Sequence, residues 1–400
     1  MIASVDAARF KAPEFGKATK RPGDRWAFTY FLPEKISRHL PLAPETVLAL
    51  SDADNALGNL QGLGRLIPEP DLLVGPFLTR EAVASSRIEG TNASLSDVLK
   101  AEEAVAERSD DVMEVERYLA AIRHGLKFIE ELPITQRLIK DLHRILMTGV
   151  RGEERQPGEI RSTPVWIGSR TATPETAVFV PPLPEDLPDL ITDWETYVNE
   201  PPREPVLVRC AIMHYQFETV HPFLDGNGRI GRLLVVLLLI AERRLMAPLL
   251  YLSGYLESNR REYYERLQAV RERGEIQEWI QFFCTAVARQ SEDASWRANR
   301  LVELREKYLR QSATDRSRVA SIIPLVFQNP FITARRVERA VGITNQGARN
   351  LLEKAVDYGW ITHIGSSGRG GRHYWAAEDI LETIETSTIY PQETDDSTHY

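Results

Sequence analysis

The sequence predicts a mainly α-helical protein, and two observations support this fold class. Apolar residues recur at three- and four-residue spacing through most segments between Pro44 and Gln290. Signals for β-structure concentrate in a stretch rich in Pro, Gly and Thr at 158–187 and near the C-terminus. With 400 residues, 43% hydrophobic and 26% charged, the chain has the composition of a globular protein of two or three domains.

The N-terminal region, residues 1–111, is predicted to hold an irregular arm followed by helices. The first forty residues mix basic and aromatic types without helical period, and only WAFTYFLP suggests a short strand. Helical patterns then follow at 44–67, 76–90 and 94–107. Ser94 or Ser96 can cap the third of these helices.

The central region, residues 112–295, is predicted to be a helical core with one interruption. Helical periodicity is present at 112–132, 134–149, 189–199, 205–220, 230–245, 259–274 and 276–290. Within the interruption, β-forming residues at 165–167 and 178–180 indicate a β-hairpin or flap.

The C-terminal region, residues 296–385, has a different character. A polar helix at 291–310 is expected to connect it to the core. A helix ending at Gly342, a second helix and two strands around a Gly-rich tip then give the outline of a winged helix-turn-helix. The tail, 386–400, is acidic and is predicted to be disordered.

Composition narrows the possible partners and the compartment. The formal net charge of −8 does not favour nucleic acid or anionic lipid as a bulk partner, although a local basic patch could. The longest apolar run, 233–241, is too short for a membrane span, and the N-terminus lacks the apolar core of a signal peptide. We therefore expect a cytoplasmic protein in which Cys210 and Cys284 are buried free thiols.

The segment HPFLDGNGRIGR, 221–232, has residue types suited to an anion beside a base. Pro222 should end the preceding helix, which leaves His221 at a helix-to-loop corner, exposed rather than packed. The following DGNG lies at a helix N-terminus, where unpaired N–H groups and the helix dipole attract phosphate. The alternative is a Gly-rich loop with a buried His and solvated Arg residues.

Three more side chains complete this chemistry. Arg229 and Arg232 are three residues apart, so they share a helix face from which both can bind phosphate oxygens. Asp225 offers a hard oxygen for Mg²⁺, which binds through a carboxylate and substrate phosphates. The near-neutral pKa of a His lets His221 take a proton from a hydroxyl. The stretch therefore predicts a di- or triphosphate cradle with a base at its edge.

This segment resembles the Fic signature, HPFx[D/E]GNGRxxR, at every defined position. The resemblance implies a helical Fic core that transfers AMP from ATP to a Ser, Thr or Tyr hydroxyl of a protein. His221 would be the general base, Asp225 would hold Mg²⁺, and Phe223 would pack in the core. The phosphates would lie against Gly226, Asn227, Gly228, Arg229, Ile230, Gly231 and Arg232. The related phosphotransferase branch carries Ala and Lys in this loop, and the retained glycines favour adenylyl transfer here.

A second motif, SSRIEG, resembles the inhibitory motif [S/T]xxxE[G/N] of class II Fic proteins through Ser85, Glu89 and Gly90. The resemblance implies that Glu89 pairs with Arg232, which would block the γ-phosphate site and hold ATP in an unproductive pose. Some relatives also use this Glu to remove AMP, so de-adenylylation is a second possible activity. The alternative is a solvated helical Glu followed by a C-capping Gly.

Two further groups of residues resemble parts of a Fic site. The flap is similar to a hairpin that docks the target backbone, which would put Ile167, Gly168, Ser169 and Arg170 near ATP and the target. The segment YLESNRREYYERL is similar to an adenosine-contacting region, with candidates Tyr255, Asn259, Tyr263 and Tyr264. Tyr263 is the best placed of these, but aromatics at helical spacing are more often core. His214 is expected in the core or on the surface.

The C-terminal module leaves alternatives open. Its basic residues, listed in chain order, are Arg335, Arg336, Arg339, Arg349, Lys354, Arg369 and Arg372. They suit DNA phosphates, yet acidic residues accompany them, and a role in homodimer formation or target docking is favoured over DNA. A nucleotide-sensing DNA-binding regulator is thus the alternative to an enzyme. His221 together with Asp225 favours the enzyme, because a sensor needs no base.

Overall fold

The computed structural model describes residues 7–20, 28–66, 71–103, 108–169, 171–367 and 372–386. The fold is mainly α-helical, as predicted. The helices of the first half are α1 Pro44–Leu66, α2 Asp71–Ile88, α3 Leu95–Glu102, α4 Asp110–Phe128, α5 Gln136–Met147, α6 Leu187–Asn199 and α7 Val206–Val220. Those of the second half are α8 Asn227–Ala241, α9 Ser253–Ser258, α10 Arg260–Arg273, α11 Ile276–Ser312, α12 Ile323–Gln328, α13 Ala334–Val341, α14 Asn345–Asp357 and α15 Glu378–Glu385.

The strands form two small antiparallel sheets. Their bounds are β1 Gly16–Thr19, β2 Tyr30–Pro33, β3 Phe331–Thr333, β4 Thr362–Ser367 and β5 Arg372–Ala376. In the N-terminal arm β1 pairs with β2, and β2 lies in the predicted strand segment, whereas β1 was not predicted. The N–H of Phe31 in β2 donates to the Val180 carbonyl at 2.9 Å, so the N-terminal arm is hydrogen-bonded to the C-terminal side of the flap.

Helices α7 and α8 form the centre of the core and carry the signature loop between them. Every residue of α7 is buried, as are most residues of α8. A helix that is apolar nearly all round requires neighbours on every side, which here are supplied by the surrounding helices. The loop from His221 to Gly226 is therefore attached at both ends to buried, rigid elements.

Helix α11 differs from the expectation. The predicted core helix and the predicted connector form one 37-residue helix, so the predicted boundary between residues 295 and 296 falls inside it. Although its sequence is polar, α11 has a buried face on which Arg297 and Asp293 are both buried and pair at 2.8 Å. Satisfied buried charges of this kind cannot be distinguished from solvated ones by periodicity alone.

The C-terminal region has its elements in the predicted order. Helices α13 and α14 are joined by a turn at Gly342, whose φ of 68° ends α13, and the sheet has the strand order β3-β5-β4. Thr333 caps α13 and Thr344 caps α14. The predicted Gly-rich tip at 368–371 and most of the predicted disordered tail, 387–400, lie outside the described residues.

One buried apolar cluster extends from Ile36 to Ile384 and joins the N-terminal helices, the centre and the C-terminal module. Cys210 and Cys284 are buried free thiols, as predicted. Among the helices that the structure describes, none combines the length and apolarity needed to cross a membrane.

Candidate active site

His221 caps α7 in a left-handed conformation, with φ 50° and ψ 62°. This conformation is uncommon for a residue with a side chain, and it turns the chain sharply into the signature loop. The side chain is half-buried rather than exposed, so that expectation was wrong, and the Arg161 side chain lies against this corner of the chain. Burial lowers the pKa of His221 to about 3, and the Arg161 guanidinium acts in the same direction.

The neutral His221 ring has one preferred tautomer in this setting. Nδ1 lies 3.4 Å from the carbonyl oxygen of Glu218, which can only accept a hydrogen bond. The proton of the neutral ring therefore belongs on Nδ1. Nε2 is left as the acceptor, which is the form that a general base requires.

Arg161, which the sequence analysis did not single out, fixes the corner at His221. Its Nε donates to the His221 carbonyl at 2.8 Å, and its Nη2 donates to the carbonyls of Pro182 at 2.6 Å and Val220 at 3.3 Å. The side chain is buried, and burial lowers the pKa of Arg161 to about 10. The Arg161 guanidinium thus links the end of α7 to Pro182, which follows the flap in the chain.

His143 on α5, also not recognised from the sequence, holds the other end of the loop. Its ring stacks on Phe223 with centroids 3.8 Å apart. Nδ1 accepts from the Gly158 N–H at 2.8 Å, so Nε2 carries the proton and donates to the Asp225 carbonyl at 3.0 Å. Burial lowers the pKa of His143 to about 4, which keeps this arrangement neutral. Phe223 is fully buried, as expected.

Asn227 also holds the loop, through a pair of hydrogen bonds to one residue. Its Oδ1 accepts from the Phe223 N–H and its Nδ2 donates to the Phe223 carbonyl, both at 2.9 Å. The side chain is buried, so only the backbone N–H of Asn227 remains for an anion. The N–H groups at the start of α8 have no intrahelical partners. The Asn227 side chain is therefore occupied within the loop, and the groups left at this helix end are backbone N–H groups.

Arg229 lies beside this helix end with unused hydrogen-bonding capacity. It is buried, and within the described part of the chain its Nε and Nη1 have no hydrogen-bond partner. Its closest carboxylates are Glu114 at 3.7 Å and Asp225 at 3.9 Å. Orphaned buried donors are costly, so a guanidinium in this state suits a phosphate oxygen.

Arg232, in contrast, is held by Ser85 in the last turn of α2 and by Glu89 directly after that helix. Its Nε donates to Ser85 Oγ and its Nη2 to the Ser85 carbonyl, both at 2.9 Å. Nη2 also donates to Glu89 Oε1 at 2.8 Å, so the two side chains that the motif resemblance pairs are in contact. Burial alone would raise the pKa of Glu89, but Arg232 holds it below its ordinary value. Gly90 follows with φ 98°.

The Glu89 carboxylate lies directly over the first turn of α8. A Cβ at Gly228 would contact Glu89 Oε1 and would come within 2.9 Å of Arg232 Nη1. An acidic oxygen thus already occupies the space above the helix N-terminus, where anions are attracted.

Glu218, three residues before His221, is a buried carboxylate that the sequence analysis did not identify. Its Oε1 has no hydrogen-bond partner among the described residues, and a Cβ at Gly231 would lie 2.5 Å from it. Burial raises the pKa of Glu218 to about 7, although Arg232 acts against that rise. No sequence pattern marks this residue, because its environment comes from packing of α7 on α8.

Asp225 is the candidate metal ligand, and its setting fits a cation held mainly by substrate. The side chain is half exposed, and Oδ1 accepts from the Gly226 N–H at 2.6 Å. No group of three His, Cys, Asp or Glu side chains within the described residues could form a protein-only metal site. One carboxylate is sufficient for Mg²⁺ when phosphates supply further oxygens.

The predicted flap is present in reduced form. Ile167 and Phe179 form a single antiparallel bridge. The Ile167 N–H donates to the Phe179 carbonyl, and the Ile167 carbonyl accepts from the Val178 N–H, both at 2.8 Å. Gly168 and Ser169 are exposed beyond it, and Arg170 lies outside the described residues. The Pro-rich sequence limits the ladder, because proline cannot donate to it.

The burial of the tyrosine candidates does not follow the ranking that was made from the sequence. Tyr263 is fully buried and its hydroxyl bonds His214 Nε2 at 2.8 Å, so it is a core residue rather than the best nucleotide contact. His214 is buried with it, in agreement with one of its two expected places. Tyr264 is 41% exposed and lies near the Glu89–Arg232 pair. Tyr255 packs on Phe282, and Asn259 donates to the Tyr255 carbonyl.

Two family regions match this chain. The Fic/DOC family N-terminal region matches residues 47–127, which contain the Glu89 helix, and the Fic/DOC family region matches 133–239, which contain the signature loop. Among solved structures, a Fic family protein from Desulfovibrio desulfuricans G20 is similar over 89% of this chain and 100% of its own, at 20% identity and a TM-score of 0.55. This likeness concerns the fold.

Curated relatives match part of this chain. The protein adenylyltransferase Fic of Drosophila grimshawi is 31% identical over 166 residues, which are 39% of this chain and 30% of that protein. The protein of the same name from Aedes aegypti is 30% identical over 176 residues, 42% of this chain and again 30% of the relative. The match thus spans less than a third of these relatives. Residues 47–127, which contain Glu89, are thus similar to the Fic/DOC family N-terminal region, and residues 133–239, which contain the signature loop, are similar to the Fic/DOC family region.

Proposed function

We propose that this chain is an autoinhibited protein adenylyltransferase that uses ATP and a protein hydroxyl. The observation that carries the proposal is the juxtaposition at α8. A neutral imidazole at His221, the start of α8 and an Arg229 guanidinium whose Nε and Nη1 have no hydrogen-bond partner among the described residues lie round one space, which the Glu89 carboxylate partly occupies. The names of the curated relatives support the same reaction class.

The reaction follows from these groups. The target hydroxyl oxygen attacks the α-phosphorus of ATP, the bond from that phosphorus to the bridging oxygen breaks, and pyrophosphate leaves. His221 Nε2 takes the hydroxyl proton. Backbone N–H groups at the start of α8 and the Arg229 guanidinium stabilise charge that develops on the phosphates. Asp225 would hold Mg²⁺, which neutralises phosphate charge when bound.

Glu89 restrains this reaction in two ways. Its carboxylate occupies anion space above Gly228, and it consumes a donor of Arg232 that would otherwise reach the outer phosphate. Like charge near the triphosphate adds repulsion. ATP can then bind only in a pose that does not present its α-phosphorus to His221.

The test is an intact-mass measurement after incubation with ATP and Mg²⁺. Glu89→Gly should gain one or more AMP groups by self-modification, and the wild type should gain far fewer. Glu89→Gly combined with His221→Ala is the matched control and should stay unmodified while still binding ATP. An unmodified Glu89→Gly variant that binds ATP would contradict the proposal. Incubation with the other nucleoside triphosphates would then establish base preference.

A further inference from the structure

A cleft separate from the signature loop lies on the C-terminal module. It has a volume of about 720 Å³ and is bounded by the end of α3, by α12, α13 and α14, and by β5. Four arginine side chains line it: Arg335, Arg336 and Arg339 from α13, with Arg349 from α14. Its acidic lining residues are Glu102 at the end of α3, Glu103 directly after it and Glu338 of α13.

The arginines of this cleft are only partly neutralised. Arg336 pairs closely with Glu103. Arg335, Arg339 and Arg349 are exposed, and none of the three forms an ion pair with a carboxylate in the portion of the chain that the structure describes. A local group of such guanidinium groups attracts a polyanion even when the whole chain is acidic, because salt screens distant charge.

Helix α14 carries polar side chains that can form hydrogen bonds with the edges of DNA bases. Its inner face, with Ala348, Leu352 and Ala355, is buried against the module, which fixes the helix orientation. Its outer face near the N-terminus is polar, with exposed Asn345, Gln346 and Asn350. Asn or Gln suits adenine in the major groove, and a helix after a tight turn is the element that enters it.

We infer that the C-terminal module binds double-stranded DNA, with α14 in the major groove and the arginines of the cleft on the phosphates. Glu103 competes with a phosphate for Arg336. The exposed polar face of α14 favours DNA over a protein partner, whose binding surface would need apolar anchors at its centre. This inference does not depend on adenylyl transfer.

Fluorescence anisotropy with a labelled duplex of about 20 base pairs tests the inference on the full chain. Wild type should bind with an affinity that falls steeply between about 50 and 200 mM salt. Arg339→Ala combined with Arg349→Ala should weaken binding at least about tenfold and lower the logarithmic salt slope by about two. Arg203→Ala, at an exposed arginine between α6 and α7, is the matched control and should bind as wild type does.

A second variant tests the competition at Arg336. Glu103→Gln removes the carboxylate charge and should tighten DNA binding by about three- to tenfold at low salt. Absence of salt-dependent binding up to about 100 µM protein would overturn the inference. Equal binding by the double variant and wild type would do the same. The inference would also be overturned if the double variant lost self-association in sedimentation while its DNA binding stayed unchanged, because this face would then serve a protein contact.

Discussion

Glu89 and Arg232 lie 143 residues apart in the sequence, yet their side chains meet at 2.8 Å. The contact joins helix α2 of the N-terminal region to the first turns of α8, where the candidate phosphate site lies. Ser85 contributes two more acceptors to the same guanidinium. The last turn of α2 and Glu89, which follows it, therefore hold Arg232 through three hydrogen bonds, of which only one involves the carboxylate.

Ser85→Ala should release Arg232 in part. The change removes the acceptor of Nε at 2.9 Å but leaves Glu89 over Gly228. We expect self-adenylylation to rise by about three- to tenfold, well below the effect of Glu89→Gly, because one hydrogen bond to a charged group contributes about 1.5–3 kcal/mol. Ser86→Ala is the control, since the buried Ser86 hydroxyl has no partner among the described residues. Equal activation by both Ser variants would count against a specific role of Ser85.

Gly231→Ala should destabilise the protein, although Gly to Ala inside a helix normally stabilises. The added Cβ would lie 2.5 Å from Glu218 Oε1 and 3.2 Å from the His214 ring. We expect a loss of about 1–3 kcal/mol in the free energy of unfolding, measured in urea. Gly58→Ala in α1, with no atom within 4 Å, should instead gain about 0.5–1 kcal/mol. Combining Gly231→Ala with Glu218→Ala should recover part of the loss, and additive effects would refute the proposed clash.

Glu218→Gln should change how stability depends on pH. The pKa of Glu218 is raised by burial to about 7 in the folded chain, above its ordinary value of 4.5. The folded state therefore holds a proton that the unfolded state releases, and wild type loses stability as pH rises from 4.5 through 7. The loss amounts to about 3 kcal/mol above pH 8.

The free energies of unfolding of wild type and Glu218→Gln are compared by urea unfolding between pH 5 and pH 8. The Gln variant carries no titrating group at this position, so its stability relative to wild type should rise by that amount between pH 5 and pH 8. A difference between the two proteins that stays constant with pH would show that Glu218 titrates normally.

Arg161→Ala should reduce catalysis more than it reduces ATP binding. The side chain donates to the carbonyls of His221, Val220 and Pro182, so its loss frees the corner that aims the base. In the Glu89→Gly background we expect kcat to fall by about 10²-fold, since small misplacements at the reacting centre have large effects. Arg155→Ala, at an exposed arginine six residues earlier in the chain, should have no such effect. A fall confined to KM for ATP would argue against a positioning role.

Much of this molecule follows from local sequence. Pro222 after an apolar helix ends α7 at Val220, and the DGNG segment begins α8, because backbone sterics and helix-end chemistry act over a few residues. The cap at Ser94 is local in the same way, with Asp97 completing a capping box. The Glu89–Arg232 pair was predicted only because its motif resembles one in a known family.

Tertiary structure decided the remainder. Arg161 and His143 gain their roles from carbonyl groups that lie 60 and 82 residues away, and no spacing in the sequence marks such partners. Tyr263 was ranked as a nucleotide contact, but α10 turns it into the core against His214. The sequence by itself determined where the helices begin and end around the loop and which groups could bind phosphate. Packing decided which of those groups are free, which are occupied and which are buried, because desolvation and hydrogen-bond partners exist only once distant segments meet.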